Sequence, residues 1–464
     1  MALFHRRRGM DICAGPLFRN IFLFALPIIL SGMLQMLFNA ADTAVVGRFG
    51  SSTAMASVGS TASLTHLIVN VFLGLSTGAG VAVAQGVGAN DRPAVRQTVR
   101  TSFALSVVSG LFVAVIGASF SAVFLRWMGT PDDVLPGAAL YMRIYFVGMP
   151  AIMLYNFGSS VLRSMGDTRR PLFFLITAGI VNVGLNLIFV IVLHMDVAGV
   201  ALATVLSQCG AAMLVARSLS HLPADVRLDL RHPGFDRRCL AKIIRIGLPA
   251  GLQASLFSLS NVVLQSSINS LGSVAVSAQA AVTNVDNLVY VAMNGVAQSA
   301  TTFSGQNFGA GQIRRVGRTG LDGALLSTII GASLGLVAVT FAQPVLSIFT
   351  KDAAVLEIAQ ERMFITMTTY YLCGLADVLS GTLRGMGRSV MPMAVTLVGV
   401  CGLRVLWAYF VFPLDRTLYT LFVSYPFSWA VTGAVHAVTL LTALKKERKK
   451  HADPDVSRLP QDAA

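Results

Sequence analysis

Twelve apolar runs, each long enough to cross a bilayer, leave this chain little choice of fold. A hydrocarbon core about 30 Å thick takes roughly 20 residues of helix. Runs of that length fall at 20–46, 54–84, 98–124, 137–160, 172–193 and 197–219, then at 243–269, 276–306, 318–343, 360–383, 391–413 and 418–443. In lipid every backbone N–H and C=O must be satisfied internally, and a run of 20 or more apolar residues does this as a helix. Only 12% of the residues are charged, against about 25% in a soluble domain. The mean hydropathy is +0.70. The sequence therefore predicts an all-α integral membrane protein with twelve transmembrane helices.

A formal net charge of +14 would fit nucleic acid if the basic residues shared one face. They fall instead in short clusters between the apolar runs, so no nucleic-acid partner is expected and the clusters are read as topology signals. With both termini inside, 28 of the 35 Lys and Arg residues are cytoplasmic. Six lie opposite (Arg48, Arg126, Arg143, Lys351, Arg362 and Arg416), and Arg404 sits within a span. The expected location is a multi-pass protein of the plasma (inner) membrane with both termini cytoplasmic. The HRRR near the start looks like the charged end of a signal peptide, but the apolar stretch after it is too long and lacks a small-residue cleavage site. It is read as a retained first helix. Five scattered cysteines without a CxxC pair imply neither a disulfide framework nor a metal site.

The two halves repeat. LRSMGDTRRP at 162–171 matches LRGMGRSVMP at 383–392, and AQGVGA at 84–89 matches GQNFGA at 305–310, both 221 residues apart. ALP at 25–27 matches GLP at 247–249, 222 apart. Six spans per half, an even number, make the repeat parallel, with its pseudo-two-fold axis along the membrane normal. The expected organisation is a cytoplasmic tail at 1–19, a six-helix lobe at 20–219, a cytoplasmic connection at 220–242, a second lobe at 243–443 and a cytoplasmic tail at 444–464. Two such lobes around a central cleft form the layout of an alternating-access transporter.

No GxxxxGK[ST] run is present and no soluble segment is large enough to bind ATP, so the chain is not expected to be an enzyme. Its energy must come from an ion gradient or from the substrate's own gradient, which turns attention to polar groups inside spans. The stretch FLFALPIILSGMLQMLFNAADTAVVG at 22–47 carries Asp42 and Pro27. A spanning acid costs about 2.5–3.5 kcal/mol on insertion scales and usually faces a polar interior. Pro27 removes a backbone donor and favours a bend. In the fifth span Asn182 and Asn186 are four apart and share a helix face, and the sixth span brings Thr204, with Gln208 a turn later. One carboxylate, two amides and a hydroxyl are oxygen ligands that a hard cation accepts. The same groups could simply bond neighbouring helices, and the spacing leaves both readings open.

The second half is polar in another way. Asn287, Asn294 and Gln298 share a stripe of the eighth span, with Asp286 and Tyr290 beside it, and the seventh span carries Gln253, Asn261 and Gln265. These form either a substrate-contacting wall of the cleft or helix–helix amide bonds. Arg404, alone in the eleventh span, calls for a carboxylate partner. Asp377, seven residues before Arg384, is the expected one, in a structural role. His66, one turn from Asn70, is read as a hydrogen-bonded interior histidine rather than a proton relay.

Taken together, the ALP and GLP helix starts, AADTAVVG, the two LR-x-MG segments, GVALATVLSQ and the six-plus-six repeat make the whole chain resemble the multidrug and toxic compound extrusion (MATE) family. The resemblance implies a secondary antiporter that exports small amphipathic or cationic organic compounds in exchange for inward H⁺ or Na⁺. No other cofactor is implied, membrane lipids are the surroundings, and a monomer is expected. In the family branch with a cation site in the first lobe, the matching positions here are Asp42, Asn182, Asn186 and Thr204. Asn186 stands where that branch commonly has aspartate, leaving one formal charge instead of two and no metal beyond a possible Na⁺. A second branch uses acids on the seventh and tenth helices, and the seventh helix here has none. The runner-up reading is a lipid-linked precursor flippase of the same superfold, but such a protein needs a strongly cationic cleft and these spans hold few basic residues. A channel or a receptor fits poorly with a 221-residue repeat.

Overall fold

The computed structural model describes residues 10–51, 53–229 and 234–452, and within them all side chains except those of 62–64, 66, 67, 451 and 452. The basic run at 5–8, the chain beyond 452 and the side chain of His66 lie outside the described residues. The first half runs α1 (Leu17–Phe49), α2 (Ala54–Gly88), α3 (Arg92–Trp127), α4 (Leu135–Val147), α5 (Met149–Ser164), α6 (Arg169–Asn186) and α7 (Asp196–Ser220). The second runs α8 (Arg237–Asn269), α9 (Ser273–Gly309), α10 (Ile313–Thr340), α11 (Ala342–Leu346), α12 (Ala353–Met367), α13 (Tyr371–Gly385), α14 (Val390–Thr396), α15 (Leu403–Leu406) and α16 (Leu418–Ala452). π-helical stretches follow α6 at Leu187–Val192 and flank α15 at Leu397–Gly402 and Trp407–Val411.

Among the described residues, nine helices are long and apolar enough to span, and the bent pairs α4–α5 and α12–α13 add two more. The twelfth is α9. At 37 residues it is long enough, but Asn284, Asp286, Asn287, Asn294 and Gln298 hold down its hydropathy. Both bent pairs are fourth spans of their halves, and each bend has its own local cause. The 49° break between α4 and α5 falls at Gly148, with Pro150 in the first turn of α5. The 41° break between α12 and α13 has no proline. There the Thr368 and Thr369 hydroxyls donate to the carbonyls of Phe364 and Ile365 at 2.7 and 2.9 Å, back-bonding of a kind that bends helices.

The internal repeat survives in backbone detail. Gly166 and Gly387, the glycines of the two LR-x-MG segments, have φ of +93° and +83°. Each ends a fourth-span helix with the left-handed residue that such a stop requires. Asn90 (φ +57°) and Gly311 (φ +69°) do the same at the α2–α3 and α9–α10 corners. Asparagine is the side chain that tolerates this conformation best.

The chain packs into two compact units, and each borrows its partner half's first segment. One comprises the described residues of Leu26–Ser255 with Met10 and Asp11, and the other Ile12–Ala25 with everything described from Leu256 onward. The handover along α1 falls beside Pro27, whose carbonyl accepts the Ser31 hydroxyl at 2.7 Å. In the first unit the core gathers Ala79, Val113, Met142, Phe146 and Phe157 from α2 to α5. In the second it gathers Val282, Met293, Met363, Met367 and Trp429.

Within the first unit α2 and the start of α8 touch backbone to backbone. A Cβ on Gly74 would lie 2.2 Å from the Gly251 nitrogen, and one on Gly78 would lie 2.6 Å from the Gly247 nitrogen. Paired glycines four apart are how helices approach closely in lipid, where no hydrophobic force drives them together. Gly251→Leu is expected to cost at least about 3 kcal/mol, above the usual overpacking range because the backbone itself must move. Gly184→Leu should be tolerated, since a Cβ there meets nothing within 4 Å. Monodisperse yield on size-exclusion chromatography checks the pair, and equal yields would contradict the contact.

Candidate ion-coupling site

The four first-lobe residues singled out from the sequence meet in one hydrogen-bonded chain. Asn182 and Asn186 lie on the buried face of α6, 5% and 1% exposed. Asp42 sits half-buried on α1 and Thr204 on α7. The Asn186 amide nitrogen donates to Asp42 Oδ1 and, at 3.4 Å, to Asn182 Oδ1. Asn182 Nδ2 points at Thr204 Oγ1 at 3.4 Å, and that hydroxyl donates to the Val200 carbonyl at 3.0 Å. Thr204 also stands near Asp42. Tyr141 on α4, stacked on Tyr145 with centroids 6.2 Å apart, stands beside the carboxylate.

One atom in this arrangement has no partner: Asn186 Oδ1 is buried without a hydrogen bond. Buried amide oxygens are rarely left unpaired. The amide orientation follows from the network. Turning it over would set its oxygen against Asp42, which is repulsive unless a proton or a cation lies between them. The helix changes character at this residue, because Asn186 ends α6 and Leu187 begins the π-helical stretch. Such widened turns recur at functional positions in helices.

The second unit holds a polar chain of its own. Gln298 Nε2 donates to Asn294 Oδ1 at 2.7 Å, and Asn294 Nδ2 lies 3.4 Å from the Tyr290 hydroxyl. Tyr290 stands near Asp377, which lies close to Arg384, whose Nη2 reaches Ser380 Oγ at 3.0 Å. Asn287 is exposed one turn away. Of the α8 amides, Gln253 belongs to the first unit while Asn261 and Gln265 belong to the second. Asn261 is exposed, and Gln265 donates to Asn269 at 3.0 Å.

The expected Asp377–Arg404 pair does not form, because the sites around both residues are taken by others. Arg404, 1% exposed, donates from Nε to Ser428 Oγ at 2.9 Å. Its guanidinium stacks over Tyr425 at 3.9 Å, with Trp429 and Phe257 at 5.3 and 5.9 Å. Aromatic faces supply the negative potential that a carboxylate was expected to bring. A buried ion pair that sequence reasoning missed joins Asp286 on α9 to Arg362 on α12 at 2.7 Å. The charge distribution in the sequence places Arg362 among the cations opposite the cytoplasm, yet it is 2% exposed. Its place inside the tenth apolar run, which begins at 360, was the available signal.

The MatE family model matches the chain twice, at residues 27–188 and 249–410. The two matches are offset by 222 residues, as the repeat requires. The chain is similar to the probable multidrug resistance protein YoeA of Bacillus subtilis, 28% identical over 422 residues that cover 89% of this chain and 91% of that one. It is 26% identical to an FAD transporter of Shewanella oneidensis, covering 84% and 87%. Among solved structures, an outward-facing multidrug resistance MATE family transporter matches with a TM-score of 0.89 at 22% identity, covering 96% and 99%.

Proposed function

This chain belongs to the MatE family, a transporter family rather than an enzyme family, and from that premise we propose that it is a secondary antiporter. In this reading it exports small amphipathic or cationic organic compounds and admits H⁺ or Na⁺ in exchange, by alternating access. Both termini are cytoplasmic. The ion is a second substrate held by Asp42, Asn182, Asn186 and Thr204, and no further cofactor takes part. The amides and Tyr290 of α8 and α9 serve as the polar wall for the organic substrate.

The observation that carries this reading is the unpaired Asn186 oxygen beside a lone, half-buried carboxylate. Without an ion, the Asn186 N–H groups satisfy Asp42 and Asn182. When a proton or a cation arrives at Asp42, the amide is free to turn and offer its oxygen. That reversal changes the bonding between α1 and α6 at the point where α6 widens into its π-helical stretch. Ion occupancy is thereby linked to how α1 is held, and α1 carries Pro27 fifteen residues before Asp42. A ligand shifts such an equilibrium only by its differential affinity for the two arrangements, and the amide's two orientations supply that difference.

Transport into everted membrane vesicles, with the Na⁺ and pH gradients imposed one at a time, is the test. A cationic dye and FAD should be offered as alternative substrates, because multidrug and FAD transporters both occur among the relatives. Uphill movement of the dye under one of the two gradients is the expected result. Movement that never exceeds equilibrium under either gradient, or that accepts FAD alone, would overturn the proposal.

A further inference from the structure

We propose that the outer groove between α6 and α7 is a binding site for an anionic phospholipid, with one acyl chain along the groove and the phosphate on Arg217. The inference does not depend on what the protein exports. The groove encloses about 300 Å³ and is lined by Thr177, Val181, Ser207, Gly210, Met213 and Arg217, among others. Its two hydroxyls are turned away from it. Thr177 donates to the Phe173 carbonyl and Ser207 to the Thr204 carbonyl, each at 2.9 Å. The remaining wall is apolar, so the groove offers an occupant no hydrogen bond until it reaches Arg217.

Its length and placement select the occupant. Thr177, Val181 and Met213 are exposed on helices that span the membrane, so the groove opens to whatever bathes them. From Ser207 to Arg217 is ten residues of α7, or about 15 Å of rise. That is half of the roughly 30 Å hydrocarbon core, the depth of one leaflet. Arg217 lies in the last turn of α7, at the level where a headgroup sits. Arg169, also exposed, begins the antiparallel neighbour α6 at the same end, where Arg170 Nη1 donates to Ser218 Oγ at 3.0 Å. Asp167, the acid beside this cluster, is engaged with Arg170 at 3.1 Å. The end of the groove is therefore cationic, and basic pockets between spanning helices recognise acidic lipid heads.

An acyl chain gains little by leaving other lipid tails for an apolar groove, since both surroundings are equally apolar. Selectivity must then come from the head, and one arginine near the surface corresponds to about a five-fold preference. The site lies one helical turn from the Asn182–Thr204 contact. Ser207 bonds Thr204 directly, and Val181 precedes Asn182 in sequence. A resident chain would thus pack against the outer side of the two helices that build the ion site.

Native mass spectrometry of the purified full chain, exchanged into micelles with equal phosphatidylglycerol and phosphatidylcholine, tests this. The wild type is expected to retain one phosphatidylglycerol in preference to phosphatidylcholine. Gly210→Leu should lose that one equivalent, because a Cβ there meets nothing within 4 Å and the longer side chain can grow into the groove. Gly210→Ala, which is too short to fill it, should keep the lipid and guards against a folding artefact. Arg217→Gln should keep a lipid but lose about five-fold in headgroup preference, with Arg217→Lys retaining most of it. Unchanged retention in a monodisperse Gly210→Leu protein would overturn the proposal. So would a wild type without headgroup preference, or a Gly210→Leu-sensitive occupant that proves to be detergent or exported substrate.

Discussion

Asp42→Asn is expected to abolish uphill export while leaving folded yield and equilibrium substrate binding largely intact. The substitution is isosteric, and the Asn186 amide that bonds Asp42 would still find an oxygen to which it can donate. What disappears is the charge. An inward monovalent cation gains about 2.3 kcal/mol per 100 mV of membrane potential, which for a neutral substrate exchanged one for one supports roughly a 50-fold ratio. Without a group that binds the ion, the ratio should collapse to one. Asn186→Asp is the complementary change. Two carboxylates in contact repel unless a cation lies between them, so this variant should gain more thermal stability from Na⁺ than the wild type does. Proteoliposome transport and Na⁺-dependent melting read the two effects separately. An Asp42→Asn protein that still concentrates substrate at the wild-type rate would remove Asp42 from the coupling role.

Helical spacing made the first-lobe site legible only in part. Asn182 and Asn186 share a face by the rise of the helix, so their mutual bond was written into the sequence. Spacing alone did not decide whether Asp42, 140 residues before Asn182, joined them or stayed wet at its helix end. Family likeness supplied that choice, and the hydrogen bond agrees with it. In the second half Tyr290, Asn294 and Gln298 follow the same four-residue rule and do bond in series. The failure at Arg404 has a different origin. Charge complementarity suggested Asp377, but a guanidinium is also satisfied by aromatic faces, and nothing in residue spacing reveals which rings converge on it. The unpaired Asn186 oxygen and the π-helical stretch after it depend on side-chain and backbone geometry that no periodicity encodes. The groove ending at Arg217 is likewise a property of two helices together.

Arg404 yields the second large effect, and the sign depends on which partner is removed. Moved forward by the local repeat offset, 222 residues for Asp42 as at ALP/GLP and 221 for the others as at the LR-x-MG segments, the first-lobe site maps onto Leu264, Leu403, Trp407 and Tyr425, a set without a carboxylate. Arg404 stands in that region, mid-span, with its guanidinium 3.9 Å above the Tyr425 ring. The first lobe thus holds an acid in this arrangement, and the second holds a cation fixed to the chain. Burying that charge is costly, and the Tyr425, Trp429 and Ser428 contacts offset the cost. Tyr425→Ala takes away the closest of them and strands the charge, a loss expected to fall near the 3–5 kcal/mol typical of breaking a buried pair. Arg404→Met removes the charge itself and fills most of its volume, so it should cost no more than about 1 kcal/mol, as replacements of buried ions by apolar side chains often do. The double variant Arg404→Met/Tyr425→Leu should recover most of what Tyr425→Ala loses, because no charge remains to be satisfied. Melting temperatures of the three proteins in one detergent decide the matter. If Arg404→Met proves as damaging as Tyr425→Ala, the arginine is holding the lobe together through contacts beyond its aromatic cage.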